Sequence, residues 1–234
     1  MADGTGVQNA ECDPVDAIDG WLSESAKAFS EALLSRQRLA LCQTGSLELG
    51  VHRGKFLAVL ARGNDTGVVV GVDAMLDAEG RDLSPEHAAE AVEHIRRNVA
   101  TASLAPVHLI TARTATVTPE DLLGISSNGF SFIHIDAGHE AEDVRTDIAL
   151  ADAVLSTGGV IAMDDFLNVW MPGVTDGLYS YRAANPDTDI VPFAAGGNKL
   201  FLCRRADHDL YAAFATTQPH GARGRMMGCE LTIF

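Results

Sequence analysis

The segment from Phe130 to Phe166, FSFIHIDAGHEAEDVRTDIALADAVLSTGGVIAMDDF, leaves few folds open. Phe130–Ile135 is a short apolar run of strand length that ends in Asp136. Val144, Ile148, Ala151 and Leu155 then recur at helical spacing, so a helix lies on a sheet, with Glu142, Asp143, Arg145 and Asp147 expected on its solvated side. Gly158-Gly159 reads as the helix stop, and Val160–Met163 is a second apolar run ending in Asp164-Asp165. Two strands joined by a helix pair in parallel, and ligands bind where the strands of such a sheet finish. Asp136, His139, Asp164 and Asp165 are therefore expected at one edge.

The chain before this segment repeats the pattern. Ser46–Val51 is a short strand running into Gly50 and Gly54, and ELGVHRG opens a helix carrying Phe56, Leu57, Val59 and Leu60. A glycine turn between strand and helix lets backbone N–H groups approach a ligand. The spacing is GxxxG and not the GxGxxG of dinucleotide sites, and it also suits a plain tight turn. Gly63–Gly67 is a turn into the buried strand Val68–Val72, which ends in Asp73. An acid there can accept hydrogen bonds from ribose hydroxyls, or simply solvate the strand end. Residues 77–83 are a polar loop. Ser84-Pro85-Glu86 starts a helix running to about Ala102. Val107–Ile110 is a third strand, and Arg113 and Thr114 beyond it line either a base pocket or a solvated loop.

The flanks are less informative. Residues 1–13 read as a flexible tail, 14–44 as an N-terminal helical cap and 45–234 as the main domain. Between Pro14 and Leu41, Ile18, Trp21, Leu22, Phe29, Leu33 and Leu34 fit one or two helices that pack on the sheet or act as a lid. After Asp165, Pro172-Gly173 breaks the chain, a helix is expected over Thr175–Ala184, and Asp189–Phe193 and Lys199–Cys203 read as an antiparallel pair. Asp207–Thr216 is a short helix and Glu230–Phe234 a terminal strand or tail. Phe166, Trp170, Met171, Tyr179 and Tyr181 suit an apolar-walled site or core.

With 234 residues and a formal charge of −15, the chain suits one α/β domain and not a phosphate-backbone partner. No membrane span or signal peptide is legible, and the four scattered cysteines lack a CxxC, so a reducing cytoplasm is expected. Cys42 and Cys203 read as small apolar fillers. A homo-oligomer is compatible with the sequence, which carries no signal for it.

Three gathered carboxylates repel unless a cation or proton lies among them, and a hard divalent ion such as Mg²⁺ is the simplest resolution. Asp136, Asp164 and Asp165 are the candidate metal ligands, and Asn168 a candidate outer one. His139, just past Asp136, suits a general base, and a nearby cation and helix start would lower its pKa. His134 sits mid-strand and reads as a core residue. His52, in the glycine turn, is a candidate cofactor contact; His87, His94 and His220 read as surface residues.

From about Gly45 to Cys203 the chain resembles the class I S-adenosylmethionine-dependent methyltransferases, within them the metal-dependent small-molecule O-methyltransferases. LELGVHRG is similar to the family's first motif, Asp73 falls where its ribose-binding acid is expected, and IDAGH with GGVIAMDDF resembles its fourth and fifth strands. The resemblance implies a Rossmann-like seven-stranded, mostly parallel sheet with helices on both faces and an antiparallel last strand. It implies S-adenosyl-L-methionine binding by Glu48, Gly50, His52, Gly54, Asp73, Arg113, Thr114 and Asp136. It also implies a substrate pocket from the N-terminal helices and residues 166–185. Catechol O-methyltransferase-like enzymes use an Asp and an Asp-Asn pair for metal. The all-acid Asp136, Asp164 and Asp165, with Trp170 and Pro172–Val174, are closer to the macrocin O-methyltransferase-like group, which acts on sugar hydroxyls of natural products. His139 stands where the catechol enzymes place a lysine base.

The expected activity is methyl transfer to a hydroxyl of a small molecule, a natural-product sugar or phenol, with Mg²⁺ holding the oxygen and His139 and Asp136 as catalytic residues. Two other readings stay open: a metal-independent N- or carboxyl-methyltransferase, and a nucleotide-binding oxidoreductase or silent binding module.

Overall fold

In the computed structural model, which describes residues 13–166, 168–219 and 221–234, nine strands form one sheet in the order β3-β2-β1-β4-β5-β7-β6-β9-β8. The strands are β1 (Gly45–Leu49), β2 (Val69–Asp73), β3 (Val107–Thr111), β4 (Phe130–Ile135), β5 (Leu155–Met163), β6 (Ile190–Gly196), β7 (Lys199–Arg204), β8 (Ala222–Met226) and β9 (Cys229–Ile233). The first five run parallel, β7 is antiparallel to both its neighbours, β9 is parallel to β6, and β8 is antiparallel to β9. The Rossmann-like expectation holds for the first seven strands, with β7 as the reversed one, and β8–β9 extend the sheet. ARGRM in β8 has no buried apolar run and lies largely exposed, which is why only the final strand was legible.

The helices are α1 (Glu24–Leu39), α2 (Lys55–Gly63), α3 (Pro85–Ala102), α4 (Pro119–Ile125), α5 (Ala141–Val154), α6 (Pro172–Ala184) and α7 (His208–Thr217). They cover both faces. Phe29, Leu33, Leu57, Ile95 and Tyr211 from α1, α2, α3 and α7 fill one core layer. Leu122, Ile148, Val174 and Leu178 from α4, α5 and α6 fill the other. Burying such side chains is worth about 1.5–3 kcal/mol each.

Local chemistry sets the boundaries. Ser23 caps α1 and Ser84 caps α3, each accepting from a backbone N–H of the first turn. Thr118 and Asp121 form a capping box that creates α4, a helix not anticipated because the preceding threonine-rich stretch reads as loop. Residues 14–20 form turns, with Val15 and Ile18 buried, and Lys55 Nζ holds the Gly20 carbonyl at 3.0 Å. The cap is therefore strapped to the sheet, and Trp21, placed on its apolar spacing, is 98% exposed. Gly158-Gly159 lies inside an irregular β5, since that strand already begins at Leu155. Asp147 departs furthest from its expected solvated position. It is fully buried, beside the 3-10 turn at Thr114–Thr116 that packs on α5. The expected tail over residues 1–12 and His220 lie outside the described residues.

Candidate active site

The sheet reverses its winding between β1 and β4, and there the backbones are pressed together. Asp136 N donates to Leu49 O at 2.8 Å, and Gly50 N to Val72 O at 2.9 Å. Gly50 has φ +83°, and a Cβ on it would stand 2.0 Å from Asp136 O. Only glycine fits both the dihedral and the gap. Gly54, at φ +84°, caps α2 without a side-chain hydrogen bond and packs against Ile95.

Asp73 closes this turn from β2. Its Oδ2 accepts from Val51 N at 2.8 Å and His52 N at 2.9 Å, and its Oδ1 from Met75 N at 2.7 Å. The carboxylate so shapes the turn through the backbone, which leaves it part of its acceptor capacity for a ligand. His52 is exposed with φ +51°. Glu48, Gly50, His52, Gly54, Asp73 and Asp136 thus meet at one edge. Arg113 and Thr114 stand further along it: Arg113 is exposed and ion-paired to Asp82 at 2.7 Å, and Thr114 opens the 3-10 turn beside Asp147.

The acids gather around Asp136. A carboxylate oxygen of Asp136 lies within 4.8 Å of ligand atoms from His134 and Asp164, and likewise of His139 and Asp165. Asp165 leaves the strand at φ +55°, so the two consecutive acids face different neighbours. Its Oδ1 accepts from Asn168 Nδ2 at 2.8 Å and Asn198 Nδ2 at 2.6 Å. Its Oδ2 is 3.1 Å from His139 Nε2, which is also 3.6 Å from Asp136 Oδ1. Yet Nε2 is buried and has hydrogen-bond geometry to no described residue. Asp136 chiefly, then Asp165 and Asp164, raise the His139 pKa, against the opposing effect of burial. The shift is opposite to the lowering anticipated beside a metal, because the groups facing the imidazole are carboxylates.

Asp164 is held differently. Its Oδ2 is ion-paired to the buried Lys199 Nζ, and its Oδ1 accepts from Asp165 N at 2.9 Å. Burial pushes its carboxyl up, but His134 and Lys199 overcome this and hold it well below the usual carboxylate range. Lys199 Nζ also reaches His134 Nε2 at 2.9 Å, and His134 Nδ1 lies 3.0 Å from Glu48 Oε1. An ammonium donates only to an unprotonated nitrogen, so the His134 proton sits on Nδ1 and goes to Glu48. Phe56 stacks on His134 with centroids 3.8 Å apart. Burial raises the Glu48 pKa to about 7, with His134 opposing, and Glu48 Oε2 has no hydrogen-bond partner among the described residues. Sequence reasoning missed Lys199 and Asn198. The available signal was a charged residue opening the apolar run KLFLC, just after a GGN turn.

The aromatic residues after Asp165 split by environment. Tyr181 is core, its hydroxyl bonded to Asp152, and Trp170 is 87% exposed. Phe166 and Tyr179 line a cavity of about 430 Å³ between α6, the β6–β7 hairpin and the β8–β9 hairpin. Asn198 and Lys199 belong both to its wall and to the acid cluster.

Comparison with known proteins gives the same outline. No curated protein matches the chain. Among solved structures, the O-methyltransferase NovP is 18% identical over 76% of this chain and 80% of its own, with a TM-score of 0.58. The Bacillus cereus O-methyltransferase in complex with SAH is 19% identical over 84% and 92%, with a TM-score of 0.55. CalS11, a TDP-rhamnose 3'-O-methyltransferase of calicheamicin biosynthesis, is 15% identical over 77% and 80%, with a TM-score of 0.54. At these identities the likeness is one of fold. Residues 47–166, just over half of the chain and ending right after Asp164-Asp165, match the family described as "Methyltransferase domain", and the chain belongs to that family.

Proposed function

We propose that this protein transfers a methyl group from S-adenosyl-L-methionine to a hydroxyl of a small molecule in natural-product biosynthesis, with residues 45–234 as the catalytic domain. The family match over residues 47–166 carries the reading. The O-methyltransferase NovP and CalS11, an enzyme in calicheamicin biosynthesis, among the structural neighbours support the hydroxyl acceptor.

The residues fit the cofactor. Glu48 Oε2 is a buried acceptor without a partner, on the strand that runs into the Gly50–Gly54 turn, and suits the ammonium of the methionine part. The N–H groups of Gly50, Val51, His52 and Gly54 already have partners, so those at the start of α2 would face the methionine carboxylate. Asp73 would take the ribose, and Arg113 and Thr114 the base.

The residues also fit a divalent cation. Two ligands at adjacent corners of an octahedron with bonds of about 2.1 Å stand about 3 Å apart. The carboxylate oxygens of Asp136 and Asp165 lie within 4.8 Å of each other, close enough to share one ion, and both face the unpartnered His139 Nε2, whose lone pair such an ion would leave free. Asp136 and Asp165 are the uncompensated pair, and Asp164 would join through the oxygen that Lys199 does not hold. Such an ion lowers the pKa of a hydroxyl held against it. His139 Nε2 is the proton acceptor, Asp136 orients it, and Asn168 and Asn198 fix Asp165. Among the described residues Cys42, Cys203 and Cys229 are free thiols, which suits a reducing cytoplasm, and no described helix is long and apolar enough to cross a membrane.

Calorimetric titration tests the reading: S-adenosylhomocysteine should bind and NAD should not. With an accepted substrate, chelation should abolish turnover and added Mg²⁺ restore it. Full turnover in chelator would favour the metal-independent alternative.

A further inference from the structure

The cavity between α6 and the C-terminal hairpin has no role yet. Its size lies within the range of small-molecule sites. Its lining is mostly apolar, with Phe166, Tyr179, Leu200, Met226, Leu231 and Ile233, while Thr175 and Arg225 are polar members beside Asn198 and Lys199. Two features tie it to the acids. Asn198 stands in its wall while donating to Asp165, and Lys199 stands there while paired to Asp164. A molecule in this cavity therefore ends against the acid cluster. Both polar side chains at that end are already committed.

We infer that this cavity is the acceptor site, that the β8–β9 hairpin forms its outer wall, and that it takes a planar aromatic compound bearing a hydroxyl, not a free sugar. The inference rests on the methyltransferase reading above and narrows its acceptor class. A sugar ring presents several hydroxyls, each costing roughly 1–3 kcal/mol when desolvated without a partner. A lining whose polar members away from the acid end are Thr175 and Arg225 cannot return most of those hydrogen bonds. A phenol needs polar partners only at its hydroxyl end, which is the end that meets Asp136, Asp165 and His139, and its ring gains from burial beside Phe166 and Tyr179. The reaction balances as the proposed transfer does: the acceptor O–H proton goes to His139, the oxygen–methyl bond forms and the sulfur–methyl bond breaks, leaving S-adenosylhomocysteine.

The test is calorimetry on the full chain with saturating S-adenosylhomocysteine and Mg²⁺, using 2,3-dihydroxynaphthalene and methyl α-L-rhamnopyranoside as probes. The naphthalenediol should bind at least 10-fold more tightly than the glycoside. Leu231→Trp, which fills the cavity from the hairpin, should weaken it at least 10-fold. Tyr179→Ala, at a half-exposed position that folding does not depend on, should weaken it about 3-fold. Both variants should keep wild-type affinity for S-adenosylhomocysteine. Equal or tighter glycoside binding, no binding of the diol, or diol binding unchanged in Tyr179→Ala would each overturn the inference. Failure of the wild-type protein to bind S-adenosylhomocysteine would instead overturn the methyltransferase reading itself.

Discussion

The two halves of the sheet work under different rules. From β1 to β5 the strands are parallel, buried on both faces except at the edge strand β3, and finish together at an edge crowded with acids and glycine. From β6 to β9 the directions are mixed, with β7 and β8 antiparallel to their hairpin partners and β9 parallel to β6, and the hairpins and α6 border a largely apolar cavity. The first half concentrates unlike charges and orphaned polar atoms; the second offers carbon surface. Lys199 belongs to both, as the first residue of β7 and the counter-charge of Asp164. The comparison suggests a division of labour, with the parallel half holding the donor and the cation and the antiparallel half choosing what is methylated.

The largest effect should come from the parallel half. Asp165→Asn should lower turnover on the order of 10³-fold, while the dissociation constant for S-adenosylhomocysteine stays within about 3-fold of wild type. A variant with near-normal turnover would remove the acid cluster from the chemistry. Next comes the residue that joins the halves. Lys199→Met leaves Asp164 buried without its partner and should cost about 3–5 kcal/mol in urea unfolding. The double variant with Asp164→Asn should recover much of that. If the single variant is as stable as wild type, the ion pair does not couple the two regions.

A smaller effect concerns Asp147, behind the parallel half. Burial pushes its carboxyl up to about 6, with Asp143 adding and the nearby Thr114 opposing. The folded chain therefore holds a proton there that the unfolded chain has released, and stability falls as pH rises from about 4 to about 6. Asp147→Asn should flatten that decline and gain up to about 3 kcal/mol at pH 8. An unchanged slope in denaturation curves across this window would show that the carboxyl stays ionised. The smallest effect belongs to Arg38→Ala. It removes an exposed pair with Asp65 and should shift stability by less than about 0.5 kcal/mol.

Legibility follows the same divide. Phe130–Ile135 and Val160–Met163 stood out because strands buried on both faces are continuous apolar runs, and Ser84-Pro85 marked α3 because a cap and a first-turn proline are local events. ARGRM in β8 carries no such run and becomes a strand only by pairing with β9. Asp147 misled for a related reason. Helical spacing puts it beside charged neighbours, and nothing nearby in the chain announces that the Thr114 turn will pack beside it. Lys199 was read only as the start of a strand, since its partners lie 35 and 65 residues away.

By itself, then, the sequence determined the parallel strand–helix succession, the glycine turn after β1 and the acids at the strand ends, because backbone conformation and burial leave a periodic local trace. The tertiary structure decided which atoms of those acids face one another, that Lys199 and not solvent answers Asp164, and that the last thirteen residues wall a cavity. Such outcomes depend on strands far apart in the chain being set side by side, and pairing across a sheet has no period to be read from either strand alone.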